Sequence, residues 1–245
     1  MRAGLALIVA VACTAPGTAH AGRSFFGWLY PTEVMPERSV ELQTWVSEEN
    51  KNEAFMDRSR SIWGIGPLVG ITDQLELVLP LEVWWNRVPG MPGATQLNNY
   101  GVEARYRLVS QDPEEAPELV PLVRVAARRS VGLRDTMIPE LDLVTSYETG
   151  NVFVAVDLGL VGAVSRDDAT FELRPALGVS VLAVGDLRFG GEAVAQIPLE
   201  NTDSTWIAAG PNLSWTHGRF WVSAAYGIGI KNVKDAPRMQ WGIAF

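Results

Sequence analysis

From Gln74 to Arg87 the chain alternates in polarity. Leu75, Leu77, Leu79, Leu81, Val83 and Trp85 hold one parity, and Glu76, Val78, Pro80, Glu82, Trp84 and Asn86 hold the other. Side chains of an extended strand point to opposite faces in turn, so this period predicts a strand with one apolar face. The pattern recurs. Tyr100, Val102, Ala104, Tyr106 and Leu108 alternate with Gly101, Glu103, Arg105 and Arg107. Leu141, Leu143, Thr145 and Tyr147 alternate with Glu140, Asp142, Val144, Ser146 and Glu148. Similar segments run over 171–180 and 187–199. In each of these segments the internal charges keep to the polar parity, as one strand face demands.

Seven further segments fit strands: 40–46, 58–71, 119–130, 152–164, 205–215, 220–230 and 238–245. In 119–130, Arg124 and Arg128 share a parity and only Arg129, at the strand end, departs from it. The total is about twelve strands, an even number as bacterial membrane barrels have. The segments follow one another without a domain linker. Composition narrows the class. The chain has 245 residues, 47% hydrophobic and 20% charged. Beyond the first two dozen residues it lacks the run of about 20 apolar residues that a membrane helix needs. A helical membrane protein is excluded, and the hydrophobic fraction excludes a disordered or collagen-like chain. The net charge of -8 offers no basic stripe to neutralise phosphates, so nucleic acid is not an expected partner.

The first residues read as an address. Arg2 is a short positive region, Ala3 to Cys13 an apolar one, and Ala19-His20-Ala21 offers small residues at a cleavage site. This predicts a secretory signal peptide cut after Ala21. The rival is a lipidation box at Ala10-Val11-Ala12-Cys13. Cleavage after Ala21 would leave a chain without cysteine, held by packing and backbone pairing alone. The predicted domains are therefore 1–21 signal peptide, 22–38 periplasmic N-terminal segment and 39–245 barrel.

The last strand carries a specific signal. Met239, Trp241, Ile243 and Phe245 alternate with Arg238, Gln240, Gly242 and Ala244. This resembles the C-terminal signature of bacterial outer-membrane β-barrels. The resemblance implies that the barrel-assembly machinery reads Met239, Trp241, Ile243 and Phe245. The opening is similar to that of an uncharacterised porin-like outer-membrane family. Its marks are Thr32-Glu33 followed by Pro36, then Glu41 and Trp45 on one parity, and Gly70-Ile71-Thr72-Asp73 turning into the next strand. That family brings a fold and an outer-membrane location, but no substrate.

A soluble β-sandwich could also use one apolar face per strand. Three features favour a barrel in lipid. Strands of ten or more residues suit a tilted membrane strand of about 9–11 residues. The polar face is dense in Arg and Glu, as a lumen would be. Aromatics gather towards strand ends at Trp85, Tyr100, Tyr147, Phe171, Phe189, Trp215, Phe220 and Trp241, as membrane-interface girdles do. Short connections at 72–73, 150–151, 184–186 and 216–218 oppose longer ones at 49–57, 88–97, 131–139 and 231–236; 111–118 is one long connection on the short side. The prolines Pro67, Pro80, Pro121, Pro175, Pro198 and Pro211 oppose this reading, because a closed barrel has no edge strand to host them.

Chemistry in the sequence is sparse. Beyond the signal segment the only histidine is His217, in a predicted periplasmic turn, so the reading is not an enzyme. No metal-ligand spacing and no cofactor motif is present. The lumen is the candidate site. Its predicted pore-lining residues are Glu76, Glu82, Glu103, Arg105, Arg107, Arg124, Arg128, Glu140, Asp142 and Glu148. A basic stripe lies between two acidic ones. It would either filter small polar solutes in an open pore or pair off into a salt-bridge network. Residues 22–38 would close the periplasmic end or merely lead the chain in. The expected protein is a monomer in outer-membrane lipid, most simply a narrow passive channel for small polar solutes. The alternatives are a closed structural or interaction barrel and a soluble periplasmic ligand-binding β-protein.

Overall fold

The computed structural model describes residues 24–50, 59–87, 94–112, 115 and 117–245. The predicted signal peptide and lipidation box lie outside the described residues. Thirteen strand segments follow in chain order: β1 (Val40–Asn50), β2 (Ser59–Thr72), β3 (Leu75–Val78), β4 (Leu81–Arg87), β5 (Ala94–Arg107), β6 (Leu119–Ser130), β7 (Met137–Thr149), β8 (Val152–Val164), β9 (Ala169–Val184), β10 (Leu187–Pro198), β11 (Trp206–His217), β12 (Phe220–Lys231) and β13 (Asp235–Ala244). β3 and β4 form one stave interrupted at Leu79 and Pro80, and both pair with β2 on one side and β5 on the other. The segments therefore make twelve staves, each antiparallel to its neighbours in sequence. β1 pairs with β13 from Glu41↔Ala244 to Asn50↔Asp235, which closes the barrel. Closure leaves every strand paired on both sides. Among the described residues the only helical element is one 3-10 turn at Thr202–Ser204.

The alternation predicted above is the inside–outside pattern of the wall. Leu77, Leu79, Leu81, Val102, Leu143, Leu173, Leu177, Leu213 and Ile243 face outward and are exposed. Glu76, Glu82, Glu103, Arg124, Asp142, Glu192, Asn212 and Gln240 face inward and are buried. All eight predicted interface aromatics also face outward. Trp85 and Phe171 lie near the end bearing the longer loops. Tyr147, Trp215 and Phe220 lie near the other end, joined by Tyr106 and Phe245. Tyr100 departs from the expectation. β5 begins at Ala94 rather than near 98, so Tyr100 stands mid-strand, paired with Leu81 and Arg129. Trp63 and Tyr226 are outward-facing aromatics that the pattern missed, each 50% exposed.

The prolines sit where the ladder lapses. The β9–β10 ladder lapses between Val194↔Ala176 and Ile197↔Leu173, beside Pro175, without a change of register. The β11–β12 ladder lapses between Ala209↔Ile228 and Asn212↔Ala225, beside Pro211, again in one register. Pro67 faces the break at Leu79–Pro80, Pro121 lies near the start of β6, and Pro198 ends β10. A missing N–H costs little where no partner carbonyl is aligned with it. A closed barrel thus hosts proline by local lapses instead of edges.

Three of the tight turns turn on glycine at positive φ: Gly150 (56°), Gly185 (57°) and Gly218 (58°). Any other residue would be strained there. Gly64 is required for a different reason. A Cβ there would fall within the Trp45 indole. Gly64→Val is expected to displace Trp45 and cost about 1–3 kcal/mol, the usual range for overpacking, read as a lower urea midpoint of the folded barrel.

Within the N-terminal segment 22–38, residues 24–35 fold inside the barrel, and Glu37 and Arg38 stay exposed at its mouth where the chain enters β1. Phe25, Phe26, Leu29, Val34 and Met35 are buried against inward-facing wall residues. The segment rises from Phe25, beside Phe153 near the start of β8, to Trp28, beside Trp206 near the start of β11. It then descends through Thr32, beside Ser146, to Met35, beside Glu76. It is a chain reversal inserted from the end where β1 begins and β13 finishes.

Candidate functional site in the barrel lumen

The inserted segment lacks strand partners, so its backbone donors need acceptors from the wall. Glu192 on β10 accepts from the Gly27 N–H and the Trp28 N–H, both at 2.8 Å. Asp157 on β8 accepts from Tyr30 N–H at 3.3 Å, and Glu76 on β3 accepts from Met35 N–H at 2.7 Å. Ser223 and Gln240 donate to the Phe26 carbonyl at 2.8 and 2.6 Å. Three inward carboxylates are therefore committed to holding this plug. The wall also makes room for it, since a Cβ on Gly178 would collide with the Phe26 ring. Arg188 stacks over Phe25 at 4.3 Å and meets Glu148 at 3.4 Å, which ties the first plug residues to the barrel end.

Beneath Tyr30 lies a cluster of charges. Arg124 is 0% exposed. Its Nη2 donates to Glu103 at 2.7 Å and Glu140 at 2.8 Å, and its Nη1 donates to Asp142. Its guanidinium also lies 3.9 Å from the Tyr30 ring centroid. Arg105 bridges Glu103 at 2.6 Å and Glu76 at 3.0 Å. Arg128 reaches Glu82 at 3.2 Å and Glu140 at 3.3 Å. β5, β6 and β7 are consecutive, so Arg105 pairs with Arg124 across one ladder and Arg124 with Asp142 across the next. The acidic stripes on the flanking staves then neutralise the basic one. Low dielectric makes such contacts strong and makes any unpaired member costly.

All ten predicted lumen residues point inward. Glu82, Glu103, Arg105, Arg128 and Glu140 border open space. Glu76, Arg124 and Asp142 are sealed beneath the plug in the ion-pair cluster. Arg107 donates to the Ser110 carbonyl at 3.1 Å, near the short-turn end. Glu148 is exposed at that end. The strand pattern located the charges but gave no sign that a chain segment would be threaded among them. Phe25, Phe26 and Trp28 were a hint, three large rings where a solvated leader would need none.

The open space is a cavity of about 660 Å³ on the longer-loop side of the plug. Trp28 and Tyr30 are its floor. Arg60, Trp84, Gln96, Arg174 and Arg238 are among its walls. Glu82 is a wall carboxylate with all its capacity used: it accepts from Trp45, Asn98, Asn99 and Arg128. The β5 bulge turns both Asn98 and Asn99 towards it. His217 lies far from this cavity, at the end of β11, stacked on Trp215 with centroids 5.5 Å apart.

No family model and no curated protein matches this sequence. Solved structures do resemble the fold. An outer-membrane channel from Pseudomonas putida F1 superposes with a TM-score of 0.64 at 8% identity, over 89% of this chain and 100% of that one. The beta domain of the Bordetella autotransporter BrkA gives 0.56 at 10% identity, over 85% and 100%. The KdgM porin gives 0.51 at 12% identity, over 84% and 99%. At these identities the likeness is one of fold: a closed antiparallel barrel of the kind found in bacterial outer membranes.

Proposed function

We propose that the chain is an outer-membrane β-barrel that passes small polar solutes through a lumen narrowed by its own N-terminal segment. The apolar outer wall with aromatics near both ends supports membrane insertion. The observation that carries the channel reading is the charged cavity of about 660 Å³ on the longer-loop side, inside the barrel wall and floored by Trp28 and Tyr30. Such a vestibule admits small solutes and excludes large ones by size and charge. The C-terminal strand, with Met239, Trp241, Ile243 and Phe245 all facing outward, supports recognition by the barrel-assembly machinery.

A second reading has its own support. The plug and the Arg124 cluster fill the half of the lumen nearest the termini, as a closed structural barrel would need. Planar-bilayer recording separates the two. Current steps from the folded full chain are expected for a channel; a barrel that inserts and stays silent is the closed form. Membrane insertion is tested separately. The folded chain is expected to migrate faster on gels before heating than after, and to partition into outer membranes. A soluble periplasmic protein would do neither.

A further inference from the structure

We infer that the cavity above the plug is a binding site for small multivalent organic anions, held by Arg60 and Arg238. The inference deepens the channel reading by naming the solute class, and rests on it for the route by which a solute arrives.

Most cations inside the barrel are neutralised at close range. Arg105, Arg124 and Arg128 are bound by five carboxylates, and Arg174 by Glu172. Arg60 and Arg238 differ. Among the described residues neither has a carboxylate within 4.0 Å. Each is held instead by an aromatic face: Arg60 lies 5.5 Å from the Trp84 ring centroid, and Arg238 lies 5.2 Å from that of Trp28. A ring positions a guanidinium without cancelling its charge. The carboxylates that could approach Arg238 are already spoken for, Glu192 by two plug N–H groups and Glu82 by Arg128, Trp45 and two asparagines. Glu49 stands opposite Arg60 in the β1–β2 register and, among the described residues, is the cavity-lining carboxylate placed to compete for it.

The two arginines share a wall. Ser47 on β1 pairs with Arg238 on β13 and with Ile62 on β2, and Arg60 is two residues along β2 from Ile62. They are two strand spacings across and two residues along, roughly 12 Å between backbones. Both line the same cavity. A molecule with two or more carboxylate or phosphate groups could engage both guanidiniums, each by two parallel hydrogen bonds. Gln96 and Gln240 line the same space and add amide donors. The volume falls within the 300–1,000 Å³ usual for small-molecule sites.

The test is titration of the detergent-folded full chain with citrate, followed by calorimetry and by tryptophan emission, since Trp28 and Trp84 carry the two arginines. Sorbitol and spermidine serve as neutral and cationic controls. Saturable citrate binding is expected, with Arg60→Gln and Arg238→Gln each weakening it at least tenfold and Arg238→Lys retaining part of it. Unheated gel mobility of each variant verifies that the barrel is folded. Equal affinity in wild type and both folded Gln variants overturns the inference, as does the absence of saturation by citrate. Tighter binding of spermidine also overturns it. The channel reading fails independently: citrate binding by a barrel silent in bilayers keeps the site and removes the channel, whereas conductance without citrate binding does the reverse.

Discussion

Arg124→Met is expected to destabilise the barrel by about 3–5 kcal/mol, the range for breaking a buried ion pair by removing one partner. The side chain has no exposed surface, and its guanidinium serves three carboxylates at once, those of Glu103, Glu140 and Asp142. Arg128 and Arg105 remain near Glu103 and Glu140, but among the described residues Asp142 has no other ion-pair partner. Methionine fills much of the volume, so the loss is electrostatic and not a cavity effect. The measurement is the urea midpoint of folding in lipid vesicles, followed by the unheated gel shift. A companion variant makes the argument specific. Arg124→Met combined with Glu140→Gln and Asp142→Asn removes the charge orphaned at Asp142 and the excess charge beside it at Glu140, and is expected to recover at least half of the lost stability. A single-variant loss under about 1 kcal/mol, the scale of an exposed pair, would mean that the cluster is hydrated and weak.

The wall of this barrel was legible because period two is a local property. Strand residues need only alternate, and a slip of one position would turn every Leu inward and every Glu outward. That is why β6 through β8 begin and end within a few residues of their predicted limits. β5 was misjudged at its start. There the bulge at Asn98 and Asn99 breaks the alternation, so the residues before it read as loop, and Tyr100 was moved to a strand end it does not occupy. The ion pairs were legible as a class, since basic and acidic stripes on consecutive antiparallel staves must meet. Their geometry was not. Whether Arg124 lines a pore or is sealed depends on Tyr30, which is far from it in sequence. No period marks residues 24–38, because the segment is bound through its own N–H groups to single carboxylates on β3, β8 and β10. Such long-range, one-to-one contacts leave no repeat to read.

Excising residues 24–38 is expected to raise single-channel conductance several-fold above that of the full chain. The segment occupies the centre of the lumen from Phe25 to Met35, and without it the interior of a twelve-stave barrel lies between the filled eight-stranded and the open sixteen-stranded cases. The excised chain keeps all twelve staves and the β1–β13 closure, so the wall has its full ladder of hydrogen bonds. The carboxylates released, Glu76, Asp157 and Glu192, would face water instead of plug N–H groups, which adds negative charge to the passage and shifts its selectivity towards cations. Two point variants probe the same contact without shortening the chain. Glu192→Leu removes the acceptor of Gly27 and Trp28, and Gly178→Val drives a side chain into the space of Phe26. Each is expected to give intermittent openings to the conductance of the excised form, because each weakens one anchor while Asp157 and Glu76 still recapture the segment. If the excised barrel folds, shown by its unheated gel shift, and still passes no current, then the obstruction is the Arg124 cluster itself. In that event Arg124→Met with its two neutralised partners is the variant that should conduct.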